Sequence, residues 1–245
     1  MLKSIGAAVT SLGSETVGAS AASMDDPARP DQISLGAPQQ GTFGIARQFL
    51  AGETIVAEGG KATQILRIER GTVRLCRHFA SGRRAIIHFA FPGDLIGLTR
   101  APAHFLAAEA VTKVRAAAFA RPDIERQMHA DAAIREHILA HLSQSLLATE
   151  NLVAALGCRS TNGRLASFFL HLADRLSVAQ GDMLELTMSR RDIADHLGLS
   201  VESVCRGLAA LKAHGAVAVP DAHHVVLRDM RTLTMLADDA ATEAA

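Results

Sequence analysis

The fold is decided by the segment Ser189–Arg206, which reads SRRDIADHLGLSVESVCR. Ser189 with an acidic residue three positions later predicts a capping box at the start of a helix over Arg190–Leu197. Gly198 suits a left-handed helix end, and Ser200 predicts the cap of a second helix. Two short helices joined by a tight glycine turn are typical of a helix-turn-helix, whose second helix enters the major groove of DNA.

The second helix should bury one face and present the other to DNA. Apolar residues at helical spacing predict the buried face, and they are Val201, Val204, Leu208 and Leu211. On the opposite face, Arg206 can donate two hydrogen bonds to guanine and Glu202 can accept one from cytosine. Arg190, Arg191 and Ser200 are predicted to contact phosphates, and Arg159 and Arg164 could add to them. The predicted DNA-binding residues are therefore Arg190, Arg191, Ser200, Glu202, Ser203, Cys205 and Arg206.

The second helix also contains a cysteine, Cys205, and a glycine, Gly207. Cys205 lies beside Arg206 and near the helix N-terminus, and both features favour the thiolate that oxidants attack. Cys205 is therefore a candidate redox switch, and the alternative is that it is only a small contact residue. Gly207 costs about 1 kcal/mol relative to alanine inside a helix, and the sequence gives no reason for it.

The residues that follow predict a wing. Val217–Val219 and Val225–Leu227 are strand-like and bracket the turn at Pro220–His224. A hairpin after the second helix completes a winged helix-turn-helix domain, which we assign to residues 158–231. Residues 232–245 are then expected to be a C-terminal tail.

An antiparallel β-roll is predicted for residues 42–122. Glycines recur every eleven residues at Gly60, Gly71, Gly82 and Gly93. The predicted strands between and after them are Ile65–Ile68, Val73–Cys76, Ala85–Phe89, Ala107–Val111 and Val114–Phe119. Short strands with turn signals every 8–12 residues indicate a sandwich, jelly roll or barrel.

Residues 123–157 predict one long helix. Its apolar stripe keeps a spacing of three and four residues, which is typical of a two-stranded coiled coil. The predicted dimerisation residues are Ile138, Leu142, Leu146, Thr149, Leu152, Val153 and Leu156. The alternative is that the stripe packs on the β-roll of its own chain. His137 and His141 are expected to be solvated or interfacial, and not metal ligands.

The succession of motifs resembles one known family. Gly71–Leu75, Phe91–Gly97 (FPGDLIG) and the whole of Ser189–Arg206 are similar to the CRP/FNR transcription regulators, closest to their FixK-like branch. The resemblance implies an α+β fold: a cyclic-nucleotide-binding-like β-roll, a dimerisation helix and a winged helix-turn-helix. It further implies a cytoplasmic homodimer that binds a palindromic site with TTGA-type half-sites and activates RNA polymerase, often in circuits tied to low oxygen.

The effectors known in this family have no matching residues here. A cyclic nucleotide needs a buried arginine for its phosphate, and Arg100 lies too early to supply it. Residues 1–75 contain no cysteine for an iron–sulfur cluster. Cys76 and His78 lie two strands before the position that haem ligands take, although their alternation along a strand directs both to one face. We therefore predict no cofactor and no metal.

Two alternatives stay open. One is an effector-gated regulator with an unrecognised small-molecule ligand. The remote one is a cupin-like barrel enzyme, which would need a His-x-His metal motif. The chain contains no such motif, so we predict that it is not an enzyme and has no catalytic residues.

Composition limits the remaining classes. The 245 residues are 49% apolar and 20% charged, which excludes a largely disordered chain. No apolar run approaches the roughly 18 residues that span a bilayer. Residues 42–122 carry twelve basic and five acidic residues, whereas residues 158–245 carry nine and eleven. DNA binding is therefore inferred from local placement and not from overall charge. Residues 1–41 predict a disordered arm, within which Met24 is a candidate start.

Overall fold

The computed structural model describes residues 44–158 and 160–238. The predicted arm over residues 1–41, with the candidate start at Met24, lies outside the described residues. Within them, no helix combines the length and the apolar composition that crossing a membrane requires.

The N-terminal part is a β-roll of two four-stranded antiparallel sheets. One sheet has the order β1-β8-β3-β6 and the other has the order β2-β7-β4-β5. The strands are β1 (Ile45–Phe49), β2 (Thr54–Val56), β3 (Gln64–Arg70), β4 (Val73–His78), β5 (Arg84–Ala90), β6 (Leu95–Ile96), β7 (Ala107–Ala110) and β8 (Val114–Ala120). The five strands expected from the glycine spacing are all present, and the α+β fold class is confirmed.

Small residues allow the two sheets to approach closely. Alanines at positions 108, 110, 116 and 118 are buried together with larger residues such as Ile68 and Val73. Gly71 makes the turn between β3 and β4 with φ of 88°, and a Cβ there would lie 2.3 Å from the carbonyl oxygen of Lys113. Only glycine satisfies both the positive φ and the close approach.

The predicted single helix over residues 123–157 is wrong, because the structure has two helices there. They are α1 (Arg121–Ala130) and α2 (Ala132–Gly157). Asp131 adopts an extended conformation between them, and its side chain accepts a hydrogen bond from the backbone N–H of Ala133. Aspartate competes for backbone donors in this way and so favours a new helix start over the continuation of an old one.

The predicted dimerisation residues divide between two faces of α2. Ile138 and Leu152 are buried in their own chain, with Ile138 packed against Ile65 and Phe119 of the β-roll. Their assignment to the dimer interface is therefore wrong. The exposed residues on the other face are Leu139, Leu142, Leu146, Thr149, Val153 and Leu156. Their spacing alternates strictly between three and four, which is the heptad pattern of a two-stranded coiled coil.

The C-terminal part is a winged helix-turn-helix. Its elements are α3 (Thr161–Leu176), β9 (Met183–Glu185), α4 (Arg190–Leu197), α5 (Val201–Ala213), β10 (Val217–Ala218), β11 (His224–Leu227) and α6 (Met230–Ala237). The wing is a three-stranded sheet in the order β10-β11-β9. A tail from residue 232 was expected, but α6 occupies this segment and buries Leu233 completely. Asp229 caps this helix at the N–H of Thr232, a signal that was present in the sequence.

Candidate nucleic-acid interface

Local capping places the two helices of the helix-turn-helix as expected. Ser189 Oγ accepts from the N–H of Asp192, and the Asp192 carboxylate accepts from the N–H of Ser189, which completes the capping box of α4. Gly198 ends α4 in the left-handed conformation, and Ser200 Oγ accepts from the N–H of Ser203 to cap α5. Capping at Ser189, Asp192, Gly198 and Ser200 therefore determines where the two helices begin and where α4 ends. These ends fix the angle at which α5 leaves α4.

The outer face of α5 is exposed and polar. Arg206 Nη1 lies 3.2 Å from Glu202 Oε1, and the two side chains are 71% and 76% exposed. Cys205 is also exposed, whereas Ser203, whose N–H donates to the capping Ser200, is half-buried. Val201 was expected to face inward but is 40% exposed, because it occupies the first position of the helix. The inner face consists of Val204, Leu208 and Leu211, all buried.

The predicted phosphate contacts differ in their surroundings. Arg191 and Ser200 are exposed, whereas Arg190 is half-buried. Burial lowers the pKa of Arg190, and its Nη1 is buried with no hydrogen-bond partner among the described residues. An unsatisfied buried guanidinium nitrogen is costly, and a phosphate contact by Arg190 would have to use its other nitrogens or follow a change of rotamer.

Arg164, which could add a phosphate contact, has two hydrogen-bond partners within its own chain. Its Nε donates to the carbonyl of Cys158 and its Nη1 to the carbonyl of Leu197, each at 3.1 Å. It thereby satisfies a carbonyl at the end of α4, which helix ends leave unpaired. Arg159 lies outside the described residues.

The glycine inside the recognition helix has a structural cause. A Cβ on Gly207 would lie 2.4 Å from Leu165 Cδ1 and 3.0 Å from Thr161 Cγ2, both on α3. Leu165 is completely buried, so moving it away would disturb the packing of its neighbours. The absence of a side chain at Gly207 therefore sets the close crossing of α3 and α5.

An ion-pair network joins the β-roll to α4. Arg84 of β5 donates to Asp192 and to Asp195, both at 2.7 Å, and Arg74 of β4 donates to Asp192 at 3.0 Å. Burial opposes the ionisation of Asp192, but its bonds from Ser189 and the charges of both arginines outweigh burial and lower its pKa. We call Arg74, Arg84, Asp192 and Asp195 the Arg84 network. It fixes the helix-turn-helix against the β-roll in this conformation.

Three neutral histidines lie at the junction between the β-roll and the helix-turn-helix, beside the Arg84 network. His88 of β5, His171 of α3 and His196 of α4 line one cavity of about 30 Å³. His196 Nδ1 lies 3.0 Å from the carbonyl oxygen of Ile86, and burial lowers the pKa of His88 and of His196 to about 4. His141, which was expected to be solvated or interfacial, is buried beneath β6 with its Nε2 3.1 Å from the carbonyl oxygen of Leu95.

Mild acid is expected to destabilise this junction. The unfolded chain protonates its histidines near pH 6.5, whereas folded His88 and His196 resist protonation until about pH 4. Between these pH values the unfolded state binds more protons than the folded state. The free energy of unfolding therefore has its highest value above about pH 6.5 and falls as the pH drops. Urea denaturation at several pH values in this range measures the slope of the free energy of unfolding against pH. The slope should decrease in His196→Gln and stay unchanged in His223→Gln, which alters an exposed histidine; equal slopes in all three proteins would contradict the assignment.

Two protein-family models match the chain. The Crp-like helix-turn-helix domain matches residues 163–236, and the cyclic nucleotide-binding domain matches residues 46–131. These ranges correspond to the helix-turn-helix and to the β-roll. Within the second range, Arg100 is exposed.

Curated relatives and a solved structure cover most of the chain. The nitrogen fixation regulation protein FixK of Bradyrhizobium diazoefficiens is 36% identical over 177 residues, which is 70% of this chain and 73% of the relative. FixK of Rhizobium meliloti is 31% identical over 87% of this chain and 94% of its own. The transcriptional activator protein FnrL of Cereibacter sphaeroides is 27% identical over 79% and 80%. The structure of FixK2 from Bradyrhizobium japonicum matches with a TM-score of 0.73 and 32% identity, covering 79% of this chain and 96% of that chain.

Proposed function

Because the chain belongs to the CRP/FNR family of transcription regulators, and within it to the FixK type, we propose that it binds a palindromic DNA site as a homodimer. It is a DNA-binding transcription regulator and not an enzyme. The observation that carries the proposal is the exposed face of α5, where Arg206 and Glu202 lie four residues apart and 3.2 Å from each other.

We assign different roles to the side chains of the interface. Arg206 leaves Glu202 to contact guanine, and Glu202 is then free to accept from cytosine. Ser203 and Cys205 lie close to the bases. Arg190, Arg191 and Ser200 contact phosphates, and these contacts position α5 in the groove without selecting the sequence.

The partner in the homodimer is a second copy of this chain. The face of α2 formed by Leu139, Leu142, Leu146, Thr149, Val153 and Leu156 carries five large apolar side chains, each at least 40% exposed. Two such faces packed together would bury an apolar seam with heptad spacing. A two-fold axis along α2 would set the recognition helices in successive major grooves, about one DNA turn apart.

The wider role follows from the family and the named relatives. We propose that the protein acts in the cytoplasm on TTGA-type half-sites and activates transcription by contacting RNA polymerase. The names of the relatives, nitrogen fixation regulators and an FnrL activator, support a role in the response to low oxygen.

Arg206→Ala is expected to weaken binding to the preferred site by about 1–3 kcal/mol and to relax specificity at one base pair of each half-site. The cause is the loss of a bidentate contact to guanine. Fluorescence anisotropy with a set of single-base variants, without added cyclic nucleotide, measures both effects. Arg47→Ala, an exposed change on β1, is the control. Equal loss on every sequence would identify Arg206 as a phosphate contact instead.

We also propose that Cys205 acts as a redox switch. It is the exposed one of the three cysteines, whereas Cys76 is buried and Cys158 is half-buried. Oxidation would add bulk, and in the higher states negative charge, against the phosphates. Mild peroxide should therefore weaken DNA binding by the parent protein and leave Cys205→Ser unaffected. If both proteins lose affinity alike, the switch is elsewhere.

A further inference from the structure

Three side chains that commonly bind metals converge in the β-roll. Cys76 and His78 lie two residues apart on β4, and Glu109 lies on the neighbouring strand β7. Their ligand atoms all lie within 4.8 Å of one another. Donor atoms around a tetrahedral zinc ion are about 3.5 Å apart, as follows from metal–ligand bonds of 2.0–2.3 Å, so these three need to close by only about 1 Å.

The two oxygens of Glu109 have different partners. Its Oε1 lies 3.2 Å from Nε2 of His78, which leaves this oxygen on the side of the converging ligands. Its Oε2 accepts from Arg74 at 2.8 Å and lies 3.6 Å from Nη1 of Arg84. Ligating carboxylates are usually oriented by such a second hydrogen-bonded partner. Glu109 can therefore offer Oε1 to a cation and keep its arginines.

Burial and access also suit a bound ion. Cys76 is fully buried and the Glu109 side chain is 13% exposed, whereas the His78 side chain is 50% exposed. His78 and Arg74 line a cleft of about 780 Å³ between the β4–β5 hairpin and α4. The cluster thus has two enclosed ligands, one ligand at the cleft and a path for an ion to enter.

The neighbouring positive charges are already compensated. Arg74 and Arg84 both pair with Asp192, and Arg84 pairs with Asp195 as well. A cation beside Glu109 therefore approaches a network of balanced charge and not two free guanidinium groups.

We propose, contrary to the expectation of no metal from the sequence, that Cys76, His78 and Glu109 bind one zinc-type divalent cation, with a fourth coordination position open to water at the cleft. A mixed sulfur, nitrogen and oxygen ligand set favours zinc over magnesium or calcium. Three ligand atoms that converge on a single point suit one ion and cannot flank the plane of a haem. The site lies in the β-roll and is separate from the DNA-contacting face of α5.

Metal binding at this site must release a proton. Burial, together with the charge of the neighbouring Glu109, raises the pKa of the Cys76 thiol to about 12. The thiol proton passes to solvent as the metal–sulfur bond forms. Because Arg74 bonds both to Glu109 and to Asp192, two ion pairs would connect the bound ion to α4.

The test uses the full-length protein, freed of metal by a chelator and then titrated with Zn²⁺ or Co²⁺. We expect one ion per chain and, with Co²⁺, a thiolate-to-cobalt charge-transfer band. His78→Gln, a change at a half-exposed position that should fold, is expected to weaken binding by more than the roughly 10–100-fold that loss of an outer-shell partner costs. Cys76→Ser should abolish the band. The matched controls Cys205→Ser and His223→Gln should bind like the parent protein.

Three results would overturn the proposal. They are the absence of stoichiometric binding by the folded parent protein, a charge-transfer band that survives Cys76→Ser, and equal loss of binding in His78→Gln and His223→Gln. DNA binding, measured separately by anisotropy, distinguishes failure of this proposal from failure of the proposed function.

Discussion

Arg84→Met is expected to lower the free energy of unfolding by about 3 kcal/mol. Breaking a buried ion pair costs about 3–5 kcal/mol because the remaining charge stays in a low-dielectric site without its partner. The side chain of Asp192 is 5% exposed and that of Arg84 is 17% exposed, so both groups are largely shielded from water. The lower end of the range applies because Arg74 still contacts Asp192 at 3.0 Å.

Urea denaturation of matched variants measures this loss. Arg83→Met changes an exposed arginine next to Arg84 and should alter the free energy of unfolding by less than about 0.5 kcal/mol. Adding Asp195→Asn to Arg84→Met should cost less than the two single changes together, because the second change removes a charge already left unpaired. If Arg84→Met and Arg83→Met are equally stable, the ion pairs do not fix α4 against the β-roll.

Gly207→Ala is expected to destabilise the protein by about 1–3 kcal/mol, the usual cost of forcing an extra methyl group into a packed core. Helix propensity alone predicts the opposite sign, a gain of about 1 kcal/mol. The steric effect should win because the new Cβ would lie 2.4 Å from Leu165 Cδ1, and Leu165 is completely buried. DNA affinity should fall as well, since α5 must move away from α3.

A second substitution on α3 separates these two effects. Leu165→Ala removes the atom that the new methyl group would strike, so Gly207→Ala should be less harmful, or even stabilising, in that background. Thermal denaturation of the two single variants and of the double variant gives the coupling energy. A stabilising effect of Gly207→Ala in the parent background would show that α3 and α5 do not cross as closely as described.

The helix-turn-helix could be predicted because its signals are local. Ser189, Gly198 and Ser200 each act within four residues of their own position, through caps and a left-handed turn. The glycine period of the β-roll is local in the same sense. The sequence was sufficient for the elements that such signals define.

The contacts between elements could not be predicted, because they depend on residues far apart in the chain. The bond from Arg84 to Asp192 spans 108 positions, and the burial of Ile138 depends on which face of α2 meets the β-roll. The convergence of Glu109 with Cys76 and His78 required the strand register. The steric reason for a glycine at position 207 likewise depends on the packing of α5 against α3, which the sequence does not reveal.

In the proposed complex, two copies of α5 contact two inverted half-sites. Selection of DNA from a random pool by the full-length protein, without added nucleotide, tests this arrangement. We predict enrichment of a palindrome with TTGA-type half-sites whose centres lie about one helical turn, roughly 10 base pairs, apart. Enrichment of a single half-site with no inverted partner, or of no sequence at all, would contradict it.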